Sequence, residues 1–385
     1  MPTRLHFLLL IVCAVARAPL TDAAPSPTNL AEPIRAIRAV GLEGAGNAQA
    51  SAAWQKLAAA DAAMLPVILA GMDGANDLAA NWIRSAVETI AGRELKNGGK
   101  LPQPELQKFL GETQHDPRAR RLAFELIARV DPILAKRLLR GMTNDPSAEL
   151  RRDAVDQLMQ QAARSLAAGD KPSATRLFQQ SLSSARDVDQ INDVTKQLRS
   201  LGEIVDLPRV FGFLTHWKII GPFESTGGKG FAAVYPPEEK IELSASYEGK
   251  AGRVEWRDLV TTNEYGLVSM NQPYTPLKGV AAYAVTEFTS DKAQAVEIRL
   301  GSQNAWKVWV NGRYLFGQDE YHRNKAIDQY RLGTELKKGR NVILVKVCQN
   351  DQTEDWAVDW DFQLRICDPF GSPVSSVGAS SKANP

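Results

Sequence analysis

Histidine and cysteine are scarce in this chain, with four and three respectively in 385 residues. Beyond the N-terminal leader the histidines are His115, His216 and His322, far apart and outside any His-Glu-x-x-His pattern, so a zinc hydrolase has no support. Gly-x-Ser-x-Gly elbows, phosphate-binding glycine loops and dinucleotide fingerprints are missing as well. An excess of one charge is also missing: 46 Lys and Arg against 44 Asp and Glu leave a formal net charge of +2. The densest basic run, Arg118-Ala119-Arg120-Arg121, has the spacing of a solvated helix face, so no nucleic-acid partner is expected. No stretch after the leader is apolar for long enough to span a bilayer. What is present, 44% hydrophobic and 23% charged residues, is an ordinary globular composition. The length suffices for roughly two or three domains with cores of their own.

The N-terminus has the layout of a secretory signal peptide over residues 1–24. Arg4 precedes the apolar run Phe7 to Val15, and Ala16-Arg17-Ala18 supplies small residues at cleavage spacing. Cleavage is expected after Ala18 or near Ala23-Ala24, which predicts an exported protein, periplasmic or extracellular; an uncleaved anchor is the alternative. Lipid attachment at Cys13 is disfavoured by the bulky Val12 before it. Two cysteines remain, Cys348 and Cys367. In an oxidising compartment they form a disulfide or stay as two half-buried thiols. Alternation puts each on the face opposite its strand's apolar residues, so a bridge needs neighbouring strands in register. No histidine lies near either in sequence, which disfavours a metal site there.

Residues 25–33, with Pro25, Pro27 and Pro33, read as a short linker. From there to Leu207 the chain is rich in Ala, Leu, Arg and Gln at helical spacing, giving an α-helical domain over 34–207. It contains an internal repeat. With Asp77 set on Asp145, Asn76 matches Asn144, Ala80 matches Ala148, Arg84 matches Arg152, Ala86-Val87 matches Ala154-Val155 and Ile90 matches Leu158. A third copy starts at Asp116-Pro117 and, after a two-residue deletion, brings Arg121, Ala123, Phe124 and Ile127 onto the template. The acid caps a helix, the arginine takes its polar side, and the apolar positions form the packing stripe. The pattern resembles HEAT-type repeats, implying an α-solenoid; an ordinary bundle with shared capping chemistry is the alternative. Residues 161–200 resemble a single tetratricopeptide-like helix pair that closes the array.

At Leu207-Pro208 the character changes to short alternating runs punctuated by Gly, Pro, Asn and Asp. Strands are expected at 216–221, 253–257, 281–288, 294–300, 306–310, 313–316, 329–333, 342–348 and 360–367, with Asn311-Gly312 as a tight hairpin turn. Trp306 and Trp309 fall on opposite faces of one strand, so at most one lies in the main core. Many short strands without interleaved helices predict an antiparallel β-sandwich over 209–369. The Ser-, Ala- and Pro-rich tail, 370–385, reads as disordered. The whole is therefore an α + β multidomain chain.

Trp217 to Phe223, Trp309-Val310-Asn311-Gly312, Asp328, Leu336…Gly339…Asn341, Val345-Lys346-Val347 and Phe362-Gln363-Leu364-Arg365 together resemble a galactose-binding-like jelly roll. That family includes the sugar-binding domain of family 2 glycoside hydrolases. Members commonly carry Asp-Asp after a Gly-Ser like Gly301-Ser302; Gln303-Asn304 stands here, which puts any role of those acids in doubt. The hydrolases' catalytic carboxylates lie in a separate barrel, for which this chain has no βα-alternating stretch, so the resemblance does not bring the activity with it.

The sharpest candidate site is the acidic loop 351–361. Trp356 with Asp355 and Asp359 suits carbohydrate, since an indole stacks on a pyranose and acids accept its hydroxyl hydrogen bonds. Carboxylate oxygens also suit calcium. Tyr321 and His322, in the run Tyr321-His322-Arg323 after the hairpin, are polar-aromatic as binding loops often are, and are further candidates for ligand contact; an exposed connector is the alternative. The competing reading makes Trp360 core, Trp356 a loop staple and the acids solvated. The sequence thus predicts an exported, non-catalytic binding protein with no cofactor beyond calcium. Its helical repeats meet a protein partner and its sandwich meets a glycan or envelope polymer. The alternatives are a glycan-cleaving enzyme using the acidic loop and a purely structural scaffold.

Overall fold

The computed structural model describes residues 27–377; the signal-peptide segment 1–24 and residues 378–385 of the tail lie outside the described residues. The architecture is α + β, helical in its N-terminal part and antiparallel β in its C-terminal part. Among the described residues no helix is long and apolar enough to cross a membrane. The chain divides into two compact units, Met1–Ala135 and Lys136–Pro385.

The first unit holds α1 (Pro27–Arg38), α2 (Asn47–Ala58), α3 (Leu65–Ala70), α4 (Asp77–Lys96), α5 (Gln103–Gly111) and α6 (Pro117–Val130); α7 (Pro132–Leu139) straddles the boundary. Helix α1 replaces the expected linker and accommodates Pro33 within it. A proline inside a helix costs about 3 kcal/mol, but Leu30 and Ile37 are fully buried two turns apart, and that stripe decides the local structure. The side chain of Asn76 caps α4 by accepting from Ala79 N at 2.8 Å, and that of Asp116 caps α6 through Arg118 N at 2.9 Å. His115 does more than fill a loop. Its ring stacks on Phe109 at 4.0 Å and sits between the carboxylates of Asp73, at 2.7 Å, and Glu112, at 3.0 Å. It ties the turn before α4 to the turn before α6.

The second unit opens with α8 (Ala148–Ala167), α9 (Lys171–Ser184), α10 (Val188–Ser200) and the short α11 (Leu207–Phe211). Of the positions matched by the internal repeat, Ala86-Val87 and Ala154-Val155 are buried, Arg84 pairs with Glu125 and Arg152 with Asp189. But Ala80 is buried where Ala148 is exposed, Asp77 is exposed where Asp145 is buried, and α8 is capped by Ser147 rather than by the expected acid. The strands follow as β1 (His216–Glu224), β2 (Ser246–Gly249), β3 (Gly252–Glu255), β4 (Arg257–Val260), β5 (Val268–Ser269), β6 (Val280–Ser290), β7 (Gln294–Gly301), β8 (Ala305–Val310), β9 (Arg313–Gln318), β10 (Tyr330–Leu336), β11 (Gly339–Gln349) and β12 (Asp361–Cys367). One sheet runs β4-β1-β6-β11-β8-β9 and the other β10-β7-β12-β5, while β2 and β3 form a separate ribbon. The turn between β8 and β9 is Asn311-Gly312, both with positive φ (53° and 78°), as the sequence predicts.

Strict alternation builds a shared core between the two sheets. Ile343, Val345 and Val347 of β11 and Trp306, Val308 and Val310 of β8 meet Val296, Ile298 and Leu300 of β7 and Phe362, Leu364 and Ile366 of β12. Trp306 and Trp360 are fully buried there, whereas Trp309 lies on the opposite face of its strand beside Tyr314. That outer face of the six-stranded sheet is covered by the excursion between β1 and β4. Within it Lys346 is fully buried, and its ammonium donates to Glu238 Oε1 at 2.7 Å and to Ala233 O at 2.6 Å.

The outer face of the four-stranded sheet carries the chain's most committed ionic cluster. Asp328, at positive φ (60°), accepts from Arg365 Nε at 2.6 Å and Arg299 Nη1 at 2.6 Å, and Arg299 also pairs with Glu297. Arg365 further donates to Phe211 O at 3.1 Å, which docks α11 against the sheet. Around this point Phe211, Phe213, Leu207, Ile191 and Val155 pack together with Ile327. The chain after β12 also joins this face. Arg151 donates to Phe370 O, Arg186 to Ser372 Oγ, and Pro373 bridges Cys367, so residues 371–377 of the expected disordered tail are laid on the sandwich.

Burial alone would raise the Asp328 carboxyl, but the hydrogen bonds and charges of Arg365 and Arg299 overcome it and hold the group below its ordinary range. Asp328→Asn should cost about 3–5 kcal/mol in urea unfolding at neutral pH, because buried Arg365 loses its anion and buried Arg299 is left with Glu297 alone. Asparagine tolerates the left-handed backbone, so the change isolates the charge. The folded carboxyl titrates below its unfolded value of about 3.9, so its contribution is complete above that pH and is lost as pH falls through the folded value. The two proteins should therefore converge in stability under acid, and equal midpoints at neutral pH would show that the cluster is not a clamp.

Candidate functional site

Strand register gathers the candidate residues at one end of the sandwich. Gln349 pairs with Val280 and Cys348 with Ala305, so the loop 350–360 after β11, the loop 319–329 before β10 and the turn 302–304 before β8 emerge side by side. Buried amides hold this end together from inside. Asn304 Nδ2 donates to Asp359 O at 3.0 Å while its Oδ1 accepts from Asp361 N at 3.0 Å. Gln349 Nε2 donates to the carbonyls of Ala357, Val358 and Asp359 at 3.2, 3.3 and 3.1 Å. Lys278 Nζ adds a bond to Ala357 O at 2.7 Å. The loop's other end is fixed where Asp351 accepts from Gly227 N at 2.6 Å. Gly279 sits beneath it at φ 58°, and a Cβ there would lie 2.3 Å from Asp351 Oδ1, so only glycine fits.

With its backbone satisfied inward, the loop turns side chains outward. Trp356 is 60% exposed on the short 3₁₀ turn Asp355–Ala357, and Val358 is 40% exposed. The His322 ring meets the indole edge-on with centroids 4.7 Å apart. His322 is held at positive φ (61°) by its N–H bond to Gln303 O at 2.7 Å. Asn350 Nδ2 lies 2.7 Å from His322 Nε2 and 2.7 Å from Gln352 Oε1. With that amide donating to Nε2, the ring carries its proton on Nδ1. The result is an exposed aromatic face bordered by two carboxamides of the same braced loop and by an imidazole from the neighbouring loop 319–329.

The structure thus brings Trp356 and His322 together and adds Asn350 and Gln352, which the sequence reading did not single out for a site. Tyr321 does not join them. Its ring packs against Ala281, Ala305 and Cys348, and its buried hydroxyl finds no partner among the described residues, so burial pushes its pKa up. The acids differ in their surroundings. Asp355 is exposed beside Trp356, Asp359 offers its carbonyl to the amide brace, and Asp361 is buried in an ion pair with Lys325 at 2.7 Å. Burial raises the Asp361 pKa against the pull of Lys325. Among the described residues no group of three His, Cys, Asp or Glu is placed to hold a metal.

Cys348 and Cys367 are free thiols, not a disulfide. Cys348 lies on the outer face of the six-stranded sheet and Cys367 on the outer face of the four-stranded sheet, so the common core separates them. Gln303-Asn304, noted in the sequence for replacing a pair of acids, is the best signal that was available for the brace.

No described protein family matches the chain, and neither does any curated protein. Solved structures similar to parts of it include a β-glucosidase from Kluyveromyces marxianus, 9% identical with a TM-score of 0.25, covering 39% of this chain and 16% of the enzyme. An α-xylosidase of glycoside hydrolase family 31 from Xanthomonas citri is 12% identical with a TM-score of 0.20, covering 40% of this chain and 16% of the enzyme. A family 35 carbohydrate-binding module from Clostridium thermocellum is 11% identical with a TM-score of 0.17, covering 23% of this chain and 71% of the module. The chain therefore spans about a sixth of the length of the two enzymes.

Burial pushes the Cys348 thiol up to about 12 and raises Cys367 as well, so both are inert as well as unpaired. Iodoacetamide should leave both unmodified in the folded protein and label both after unfolding without reductant, as read by intact mass. Labelling of the unfolded protein that requires reductant would establish a bridge instead.

Proposed function

We propose that the protein is an exported, non-catalytic binding protein whose C-terminal sandwich, of jelly-roll type, takes a carbohydrate at the end of the strands around Trp356. The observation that carries this reading is the exposed indole on a loop whose backbone is fixed from below by Asn304 and Gln349. Exposure alone is ordinary for a single apolar side chain; what sets Trp356 apart is a rigid indole beside polar groups on a fixed backbone. The indole face offers an apolar platform for the C–H face of a pyranose, and Asn350, Gln352 and His322 supply donors and acceptors for hydroxyl groups at its border. Because the loop is braced, little conformational entropy remains to be lost on binding.

Binding without cleavage fits the commitments of two of the loop's acids. A glycosidase needs two carboxyl groups facing one another across a bond, whereas Asp351 is committed to Gly227 N and Asp361 to Lys325. The helical region, read as HEAT-type repeats, is the surface we assign to a protein partner.

The test is binding of the full chain to an array of glycans and cell-wall polymers, with and without calcium. Trp356→Ala should weaken a hit by about 10- to 30-fold and leave the thermal unfolding temperature unchanged, and calcium should have no effect. Absence of any glycan hit from folded protein, or a hit indifferent to Trp356, would sink the carbohydrate reading.

A further inference from the structure

A groove of about 700 Å³ lies on the six-stranded sheet, away from the loops just described. Its walls come from β1, β4, β6 and β11, from the β8–β9 turn and from the segment before β2. The apolar lining is aliphatic: Val285 and Val342 from the middle strands, Ile241 and Leu243 from the covering segment, and Val260 from β4. Leu243 is 41% and Val260 47% exposed, so this surface meets solvent. The aromatic residue of the lining, Trp217, is only 3% exposed and presents no face on which a sugar could stack. The groove therefore differs in chemistry from the site at Trp356.

Its charges sort themselves. Lys218 pairs with Asp258 at 2.6 Å and Arg340 with Glu287 at 2.6 Å, which closes two pairs across the strands. Lys337 remains, exposed and without an ion-pair partner among the described residues. Elsewhere on the lining the exposed His216 ring engages Thr215 Oγ1 through Nδ1, at 3.0 Å. One cation is in excess over an aliphatic surface, in a volume within the ordinary range of about 300–1,000 Å³ for small-molecule sites.

We propose that this groove is a second binding site, for an aliphatic monocarboxylate whose chain lies on the valine and leucine surface and whose head pairs with Lys337. Apolar burial supplies the affinity and the lysine fixes the orientation. The walls are mostly strands, so the site is formed before the ligand arrives.

The probe is decanoate, titrated calorimetrically below its micellar concentration against the full chain, with decanol and butyrate as controls. Decanoate should bind, and both controls should be weaker by about tenfold or more, for want of the charge in one case and of the chain in the other. Lys337→Met should weaken decanoate by about tenfold without reducing decanol. Val260→Glu, at a solvent-exposed position, should abolish decanoate binding without altering thermal unfolding. Trp356→Ala should leave decanoate untouched, so this site stands or falls separately from the glycan site. Equal affinity for decanoate and decanol, indifference to Lys337→Met, or no heat at all would overturn the assignment.

Discussion

The burial of one carboxylate between two guanidinium groups is the constraint on which the C-terminal unit depends. Asp328 is taken out of water by the loop that carries it, and Arg299 and Arg365 are taken out of water by adjacent strands. None of the three could be buried alone, because an isolated charge in such a place costs several kcal/mol. Together they are satisfied, and Arg365 has a donor left for the carbonyl that ends α11. The same few atoms therefore fix a loop to a sheet and a helix to that sheet. The loop so fixed is the one that begins with Tyr321 and His322, which links the electrostatics of one sheet face to the geometry of the strand end.

The opposite sheet face repeats the device with the signs exchanged. Lys346 is the buried cation, and Glu238 with two backbone carbonyls from the covering segment are its partners. Burial lowers the Lys346 pKa while Glu238 opposes that shift. Each outer face is thereby bonded to chain that would otherwise be loose: the segment 226–240 on one side, and loop 319–329 with α11 on the other. Polypeptide thus occupies much of both faces. The strand ends and the groove beside the covering segment are left open to solvent.

Much of this was legible in the sequence because alternation is a local signal. Trp306 and Trp309 could be assigned to opposite faces by counting, and Asn311-Gly312 could be assigned to a turn from two residue types. Counting also placed Cys348 and Cys367 opposite their apolar neighbours. It could not say that those two faces point away from each other, because sheet order is a non-local fact. Helix α1 was missed because prolines were read as punctuation, when the spacing of Leu30 and Ile37 decided the outcome. Tyr321 was placed in the site by composition, yet its neighbours are Ala281, Ala305 and Cys348, brought up by strand pairing. Asp328 stood in the motif without a role, since its partners lie 29 and 37 residues away. The acidic loop misled in the same way. Its carboxylates are close in sequence, but Asp351 and Asp361 answer to different parts of the fold.

The division of labour within that loop explains how a site can be both fixed and replaceable. Asn304 and Gln349 bond each other, and within residues 357–361 they engage backbone carbonyls and one backbone N–H, so their work is indifferent to the side chains that the loop displays. Trp356, by contrast, contributes nothing to that brace; it is held by its neighbours and exposed on its face. A substitution at 304 or 349 would strand buried amides and carbonyls together, at about 1–3 kcal/mol for each group left unpaired. One at 356 would remove an outward ring and leave every bond of the brace in place. The bonds that hold the loop and the side chains it displays are therefore carried by different residues, and the displayed surface can be altered while the fold beneath it persists.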